Sequence, residues 1–119
     1  MENQPTRQYD LEERTLKFAK RVMGFVGAVR PTVANIEITK QLVRSSGSIG
    51  ANYIEANEAL SKKDFTLRVK ICRKEAKETR YWLQLIETDG EDLEKGRLSL
   101  FNEATELTKI FGAIVEKTA

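Results

Sequence analysis

Apolar positions recur at intervals of three and four along almost the whole chain and nowhere alternate with a period of two, so the pattern predicts helices and no strand. A first helix is expected over 10–30, opened by Asp10 as N-cap with Glu12 and Glu13 in the favourable first turn. Leu11, Phe18, Val22, Phe25, Val26 and Val29 fall on one of its faces, and Arg30-Pro31 stops it because the residue before proline is pushed out of the helical region. A second helix over 33–59 places Ile38, Leu42, Ile49 and Ala56 at spacings of four and seven. Ser61-Lys62-Lys63-Asp64 resembles a capping box and opens a third helix over 62–87. Thr88-Asp89-Gly90 ends it, and a fourth over 91–117 carries Leu93, Leu100, Ala104, Leu107, Phe111 and Ile114. Short connections make sequential helices antiparallel neighbours. The reading is therefore all-α: an antiparallel up-down-up-down four-helix bundle, one domain over 1–119, with residues 1–9 flexible.

The third helix carries more than one patterned face. At about 100° per residue, Phe65, Val69, Cys72, Ala76, Thr79 and Leu83 form one seam, which is the core stripe. Cys72 in that seam is a packing residue rather than a reactive thiol. Lys63, Lys70, Lys74 and Lys77 gather on the far side, flanked by Arg73 and Arg80. Leu67, Ile71, Trp82 and Leu85 form a second apolar stripe among Glu75 and Glu78. A helix in an isolated bundle needs one apolar stripe, so a second containing tryptophan points to a contact surface, with a wide core face as the plainer alternative.

The second helix is crowded with small residues in Val43-Arg44-Ser45-Ser46-Gly47-Ser48-Ile49-Gly50-Ala51, although each helical glycine costs about 1 kcal/mol relative to alanine. The grid puts Ser45 and Asn52 in the core stripe with Ser46, Gly47 and Gly50 alongside, a layout that lets another helix backbone approach closely. Asn52 at such a position needs a hydrogen-bond partner, and Glu55 on the same face is the candidate member of a buried polar network. The glycines do not make a phosphate loop, which needs a preceding strand and a lysine at a fixed offset. Nor do they make the GXXG clamp of KH domains, which sits in a mixed α/β fold.

Composition then narrows the chemistry. The chain has no histidine and one cysteine, so neither an intrachain disulfide nor a zinc-type cluster can form, and no cofactor or metal is expected. The longest uncharged apolar run, 22–29, is far short of the roughly 20 residues that span a bilayer, and the first ten residues lack a signal-peptide layout. No membrane association and a cytoplasmic location are expected. Net charge is only +2 but is unevenly spread. Residues 61–86 hold eight Lys/Arg against three Asp/Glu, a net +5, while residues 87–119 hold four against eight, a net −4.

Residues 41–87 closely resemble a bacterial four-helix-bundle family whose early members are encoded by intervening sequences in large-subunit ribosomal RNA genes. The likeness rests on Ser48, Ile49, Ala51, Asn52 and Glu55 after the small-residue segment, and on Ser61, Asp64 and Phe65 at the start of the third helix. Tyr9-Asp10-Leu11-Glu12 and Phe18-Ala19 also fit, whereas Ala56-Asn57 replaces a glycine common after the glutamate. The resemblance implies a left-handed bundle assembled into rings, with five subunits as the expected number, and no enzyme activity. A distantly similar bundle, the accessory variability determinant of diversity-generating retroelements, is a basic pentamer that works with a reverse transcriptase and nucleic acid.

These features together lead to a non-enzymatic oligomer. Its expected partners are other copies of itself, RNA or DNA, and a nucleic-acid enzyme, with no small-molecule substrate. Lys63, Lys70, Arg73, Lys74, Lys77 and Arg80 are the candidate nucleic-acid contacts. The candidate oligomer interface is Leu67, Ile71, Trp82 and Leu85, or the small-residue face at Ser46, Gly47 and Gly50. A protein–protein adaptor or scaffold is the alternative.

Overall fold

Proline, two hydroxyl caps and one glycine divide the chain into four helices. The computed structural model describes residues 7–118, with side chains from Leu11 onward. Its elements are α1 (Arg7–Ala28), α2 (Val33–Asn57), α3 (Lys62–Leu85) and α4 (Glu91–Thr118), with no strand among the described residues. Thr32 caps α2 by accepting from the Asn35 N–H at 3.0 Å, and Ser61 caps α3 by accepting from the Asp64 N–H at 3.0 Å. Both satisfy amide donors that a helix start leaves without partners. Gly90 precedes α4 at φ +92°, a left-handed conformation that favours glycine. The first three helices each end two residues before the expected limit and the fourth one residue beyond it. The largest difference is at the start of α1, which begins at Arg7, so Asp10 lies inside the helix rather than at its cap. Nothing in Arg7-Gln8-Tyr9 breaks a helix. Of the segment expected to be flexible, residues 7–9 belong to α1 and residues 1–6 lie outside the described residues.

The helices pack in cyclic order. Each backbone runs beside those of its two neighbours, with α1 and α4 the least closely packed pair, and diagonally opposite helices meet only through side chains that cross the core. The expected seams meet in the middle, where Phe18, Val22, Leu42, Ile49, Val69, Leu83, Leu107 and Phe111 are fully buried. Each such side chain stabilises the bundle by about 1.5–3 kcal/mol relative to exposure. Val26, Leu93 and Ile114 sit at the margin of this core, and Val115 takes the inward position at the end of α4. Tyr53 is also inside, its ring 5.6 Å from that of Phe111.

Two polar contacts inside the core join α3 to α2. Thr79 and Ser45 join α3 to α2 through hydroxyls 2.9 Å apart. The Cys72 thiol donates to the Ile49 carbonyl at 3.4 Å, and burial pushes its pKa up to about 12, so it stays protonated.

Candidate nucleic-acid interface

Along the outer side of α3, Lys63, Lys70 and Lys77 recur every seven residues, with Lys74 beside them. At about 1.5 Å rise per residue they mark a straight ridge roughly 21 Å long. All four are exposed and none makes an ion pair among the described residues. The two arginines behave differently, because the positive flank of the ridge turns toward α4. Arg80 is half-buried with its guanidinium carbon 5.0 Å from the centroid of the Phe101 ring, a cation–π contact. Arg73 is half-buried, and its Cδ lies 3.7 Å from where a side chain on Gly112 would begin. Both arginines edge the ridge instead of standing on it.

Lys70, Arg73, Lys74, Lys77, Glu78 and Tyr81 line an open groove of about 400 Å³ on this side. Glu78 would place a negative charge there. It is engaged from α2 by Arg44 at 2.7 Å, and the same guanidinium lies 3.4 Å from the buried Glu75 carboxylate. Tyr81 is 56% exposed, with its ring centroid 5.0 Å from that of Trp82 in an edge-to-face arrangement at 73°. A second open depression lies one to two turns nearer the start of α3, lined by Lys62, Lys63, Thr66, Leu67, Lys70 and Thr118.

The other expected site residues separate. Leu67 and Leu85 are exposed, whereas Ile71 and Trp82 are half-buried, with Trp82 packed against the core. This stripe is thus partly the wide core face named as its alternative. Ser46 is buried within the bundle, and a Cβ on Gly50 would lie 2.9 Å from Thr15 Oγ1 and 3.2 Å from Thr15 Cβ. The close approach expected of the small residues is therefore that of α1 inside the same subunit, and it occurs at Gly50. Gly47 is open, with nothing within 4 Å of an added Cβ. The polar network is also smaller than expected. Asn52 is half-buried, donates to the Ser48 carbonyl at 2.9 Å and accepts from Arg68 at 3.2 Å. Glu55 is exposed on the outer side of α2 and takes no part in it.

One surface went unnoticed in the sequence. Ile36, Val43 and Ile54 are exposed on α2, and Leu16 and Met23 are exposed on α1. On a helical wheel Ile36, Val43, Gly47 and Ile54 share one side, roughly 100–140° from Leu42. That is the side on which Gly50 meets α1. Their 7-4-7 spacing is the signal that could have revealed them.

Among the described residues no group of three or more His, Cys, Asp or Glu side chains is placed to hold a metal ion. Among them, too, no helix is long and apolar enough to cross a membrane.

A family model described as 23S rRNA-intervening sequence protein matches residues 7–113. Among solved structures the chain is similar to a protein of unknown function from the S23 ribosomal protein family of Bacteroides thetaiotaomicron VPI-5482. The two are 32% identical with a TM-score of 0.81, over 93% of this chain and 99% of that one. No curated protein matches the chain.

Proposed function

Since the chain belongs to the 23S rRNA-intervening sequence protein family, we propose that it is a non-enzymatic, oligomeric accessory factor that binds nucleic acid through the basic ridge of α3. One observation carries this reading. Lys63, Lys70, Lys74 and Lys77 stand exposed, in one line and without ion-pair partners among the described residues. A solvated lysine face on a stable bundle is ordinarily interrupted by acidic residues at helical spacing. Here the one carboxylate in the groove, Glu78, is drawn away by Arg44.

Four ammonium groups would bind weakly at physiological ionic strength, since each phosphate contact is lost steeply as salt rises. Repetition of the ridge in an oligomer raises the apparent affinity without new contacts. The exposed apolar residues Leu16 and Met23 on α1 and Ile36, Val43 and Ile54 on α2 support self-association, and a closed ring buries such surface without open-ended growth. Five subunits is the number the family resemblance implies. In this role the protein holds a nucleic acid beside a partner enzyme and performs no chemistry itself.

Fluorescence anisotropy with short RNA and DNA at salt between about 50 and 200 mM tests the reading, the affinity falling steeply across that range. Lys70→Glu combined with Lys74→Glu abolishes binding at the low end. Absence of binding by the natural chain, or indifference to that double substitution, leaves the adaptor reading in its place.

A further inference from the structure

We infer that the nucleic acid held on α3 is a single strand, with one unpaired base stacked on Tyr81. The inference rests on the nucleic-acid reading above and adds the class of ligand and the residue that selects it.

The shape of the ridge argues first. Its lysines lie along one convex helix over roughly 21 Å. A duplex is itself a convex cylinder whose backbones wind away from any straight line, so it meets such a ridge only tangentially. Proteins that hold double-stranded RNA instead contact two successive minor grooves and the phosphates between them. A single strand is flexible enough to follow one row of cations. The arginines reinforce this geometry, since Arg80 is held over Phe101 and Arg73 lies along Gly112, leaving one row rather than two.

Tyr81 supplies what a row of cations lacks. It stands one turn beyond Lys77 and lines the same groove as Lys70, Lys74 and Lys77. An aromatic ring 56% exposed on a 24-residue helix leaves considerable apolar surface in water. The edge-to-face contact with the half-buried Trp82 fixes the ring's position, so stacking demands little ordering. Bases in a duplex already stack on each other, whereas an unpaired base offers its face to any aromatic side chain regardless of sequence. Phosphates along the lysines and a base on Tyr81 are the two halves of a single-strand platform.

The test compares labelled 12-nucleotide oligo(U), labelled oligo(dT) and a labelled blunt RNA hairpin of equal charge, closed by a non-nucleotide linker so that every base is paired, at about 50 mM salt, with the natural chain, Tyr81→Ala and Tyr81→Phe. Both single strands are expected to bind at least tenfold more tightly than the hairpin. Tyr81→Ala weakens them by roughly tenfold, leaves the slope of affinity against salt unchanged because no phosphate contact is lost, and retains the helical circular dichroism spectrum. Tyr81→Phe keeps affinity within about twofold, because phenylalanine presents the same ring face. Preference for oligo(U) assigns the ligand as RNA, and equal affinity assigns recognition to base and phosphate alone; both support the platform. Hairpin binding as tight as oligo(U), or unchanged affinity in Tyr81→Ala, overturns the single-strand inference while the nucleic-acid reading stands. Absence of binding to all three probes overturns both.

Discussion

Gly47 and Gly50 sit one turn apart on α2 and should answer the same substitution in opposite ways. At Gly47 nothing lies within 4 Å of a new Cβ, so Gly47→Ala should stabilise the helix by about 1 kcal/mol through propensity alone. At Gly50 the new methyl would meet Thr15 Oγ1 at 2.9 Å and Thr15 Cβ at 3.2 Å. Thr15 is buried and its hydroxyl donates to the Leu11 carbonyl at 2.7 Å, so it cannot simply rotate aside. Overpacking costs about 1–3 kcal/mol, which cancels or outweighs the same propensity gain, and Gly50→Ala should lower stability by up to about 2 kcal/mol. Urea unfolding of the two variants checks the contrast. A pH effect belongs to this scale too. Hydrogen bonds from Arg97 and then Thr88 hold the Glu94 carboxyl down at about 2, against an ordinary value of 4.5. A group whose folded pKa is depressed adds stability above its unfolded value and loses it as pH falls through the folded one. Glu94→Gln should therefore lower the melting temperature at pH 7, with the difference shrinking between about pH 4.5 and pH 2.

Between elements, Asn35 ties together two chain reversals at one end of the bundle. Its amide donates to the carbonyls of Arg30 at 3.1 Å and Glu87 at 3.0 Å, and its oxygen accepts from the Glu87 N–H at 3.0 Å. Buried side-chain atoms thus bridge the α1–α2 connection and the end of α3. Asn35→Ala strands these groups at roughly 1–3 kcal/mol each where water cannot reach them. A loss of about 3 kcal/mol in unfolding free energy is expected, with faster hydrogen exchange at the Glu87 amide as the local signature. This residue also marks how far the sequence could be read. Helix limits were legible because Pro31, Thr88-Asp89-Gly90 and the repeat of apolar positions act within one segment. The core stripes were legible for the same reason, and the ridge lysines lie on the outer side where the wheel puts them. Asn35, the Gly50–Thr15 contact and the Arg80–Phe101 pair depend on which residue of another helix stands opposite. Periodicity fixes the face a side chain occupies and says nothing about the register of the neighbouring helix. Glu55 shows the converse: the wheel set it on one face with Asn52, but the two straddle the edge of the α2–α3 contact, and only Asn52 reaches Arg68.

For the whole molecule, the placement of the charged and apolar surfaces constrains how copies can meet. The ridge lysines lie on the outer side of α3 toward α4, where Arg73 and Arg80 reach Gly112 and Phe101. The apolar residues Ile36, Val43 and Ile54 lie on the outer side of α2 toward α1, and α1 exposes Leu16 and Met23. Assembly through α3's exposed Leu67 would cover Lys63 and Lys70, which line the same depression, and so would compete with nucleic acid. Assembly through α1 and α2 leaves the ridge open, so the oligomer and the binding reading are mutually consistent on that side. Val43→Lys with Ile54→Lys should therefore reduce the mass seen by light scattering to that of one subunit at micromolar concentration, because buried unpaired charges oppose docking. Both positions are exposed in the subunit, so helicity and urea midpoint should change little. Leu67→Lys with Leu85→Lys should keep the mass of the natural chain and, by adding cations beside the ridge, bind nucleic acid more tightly at low salt. If the pair on α3 dissociates the assembly and the pair on α2 does not, the interface lies on the ridge itself, and the nucleic-acid reading loses its surface along with its multivalency.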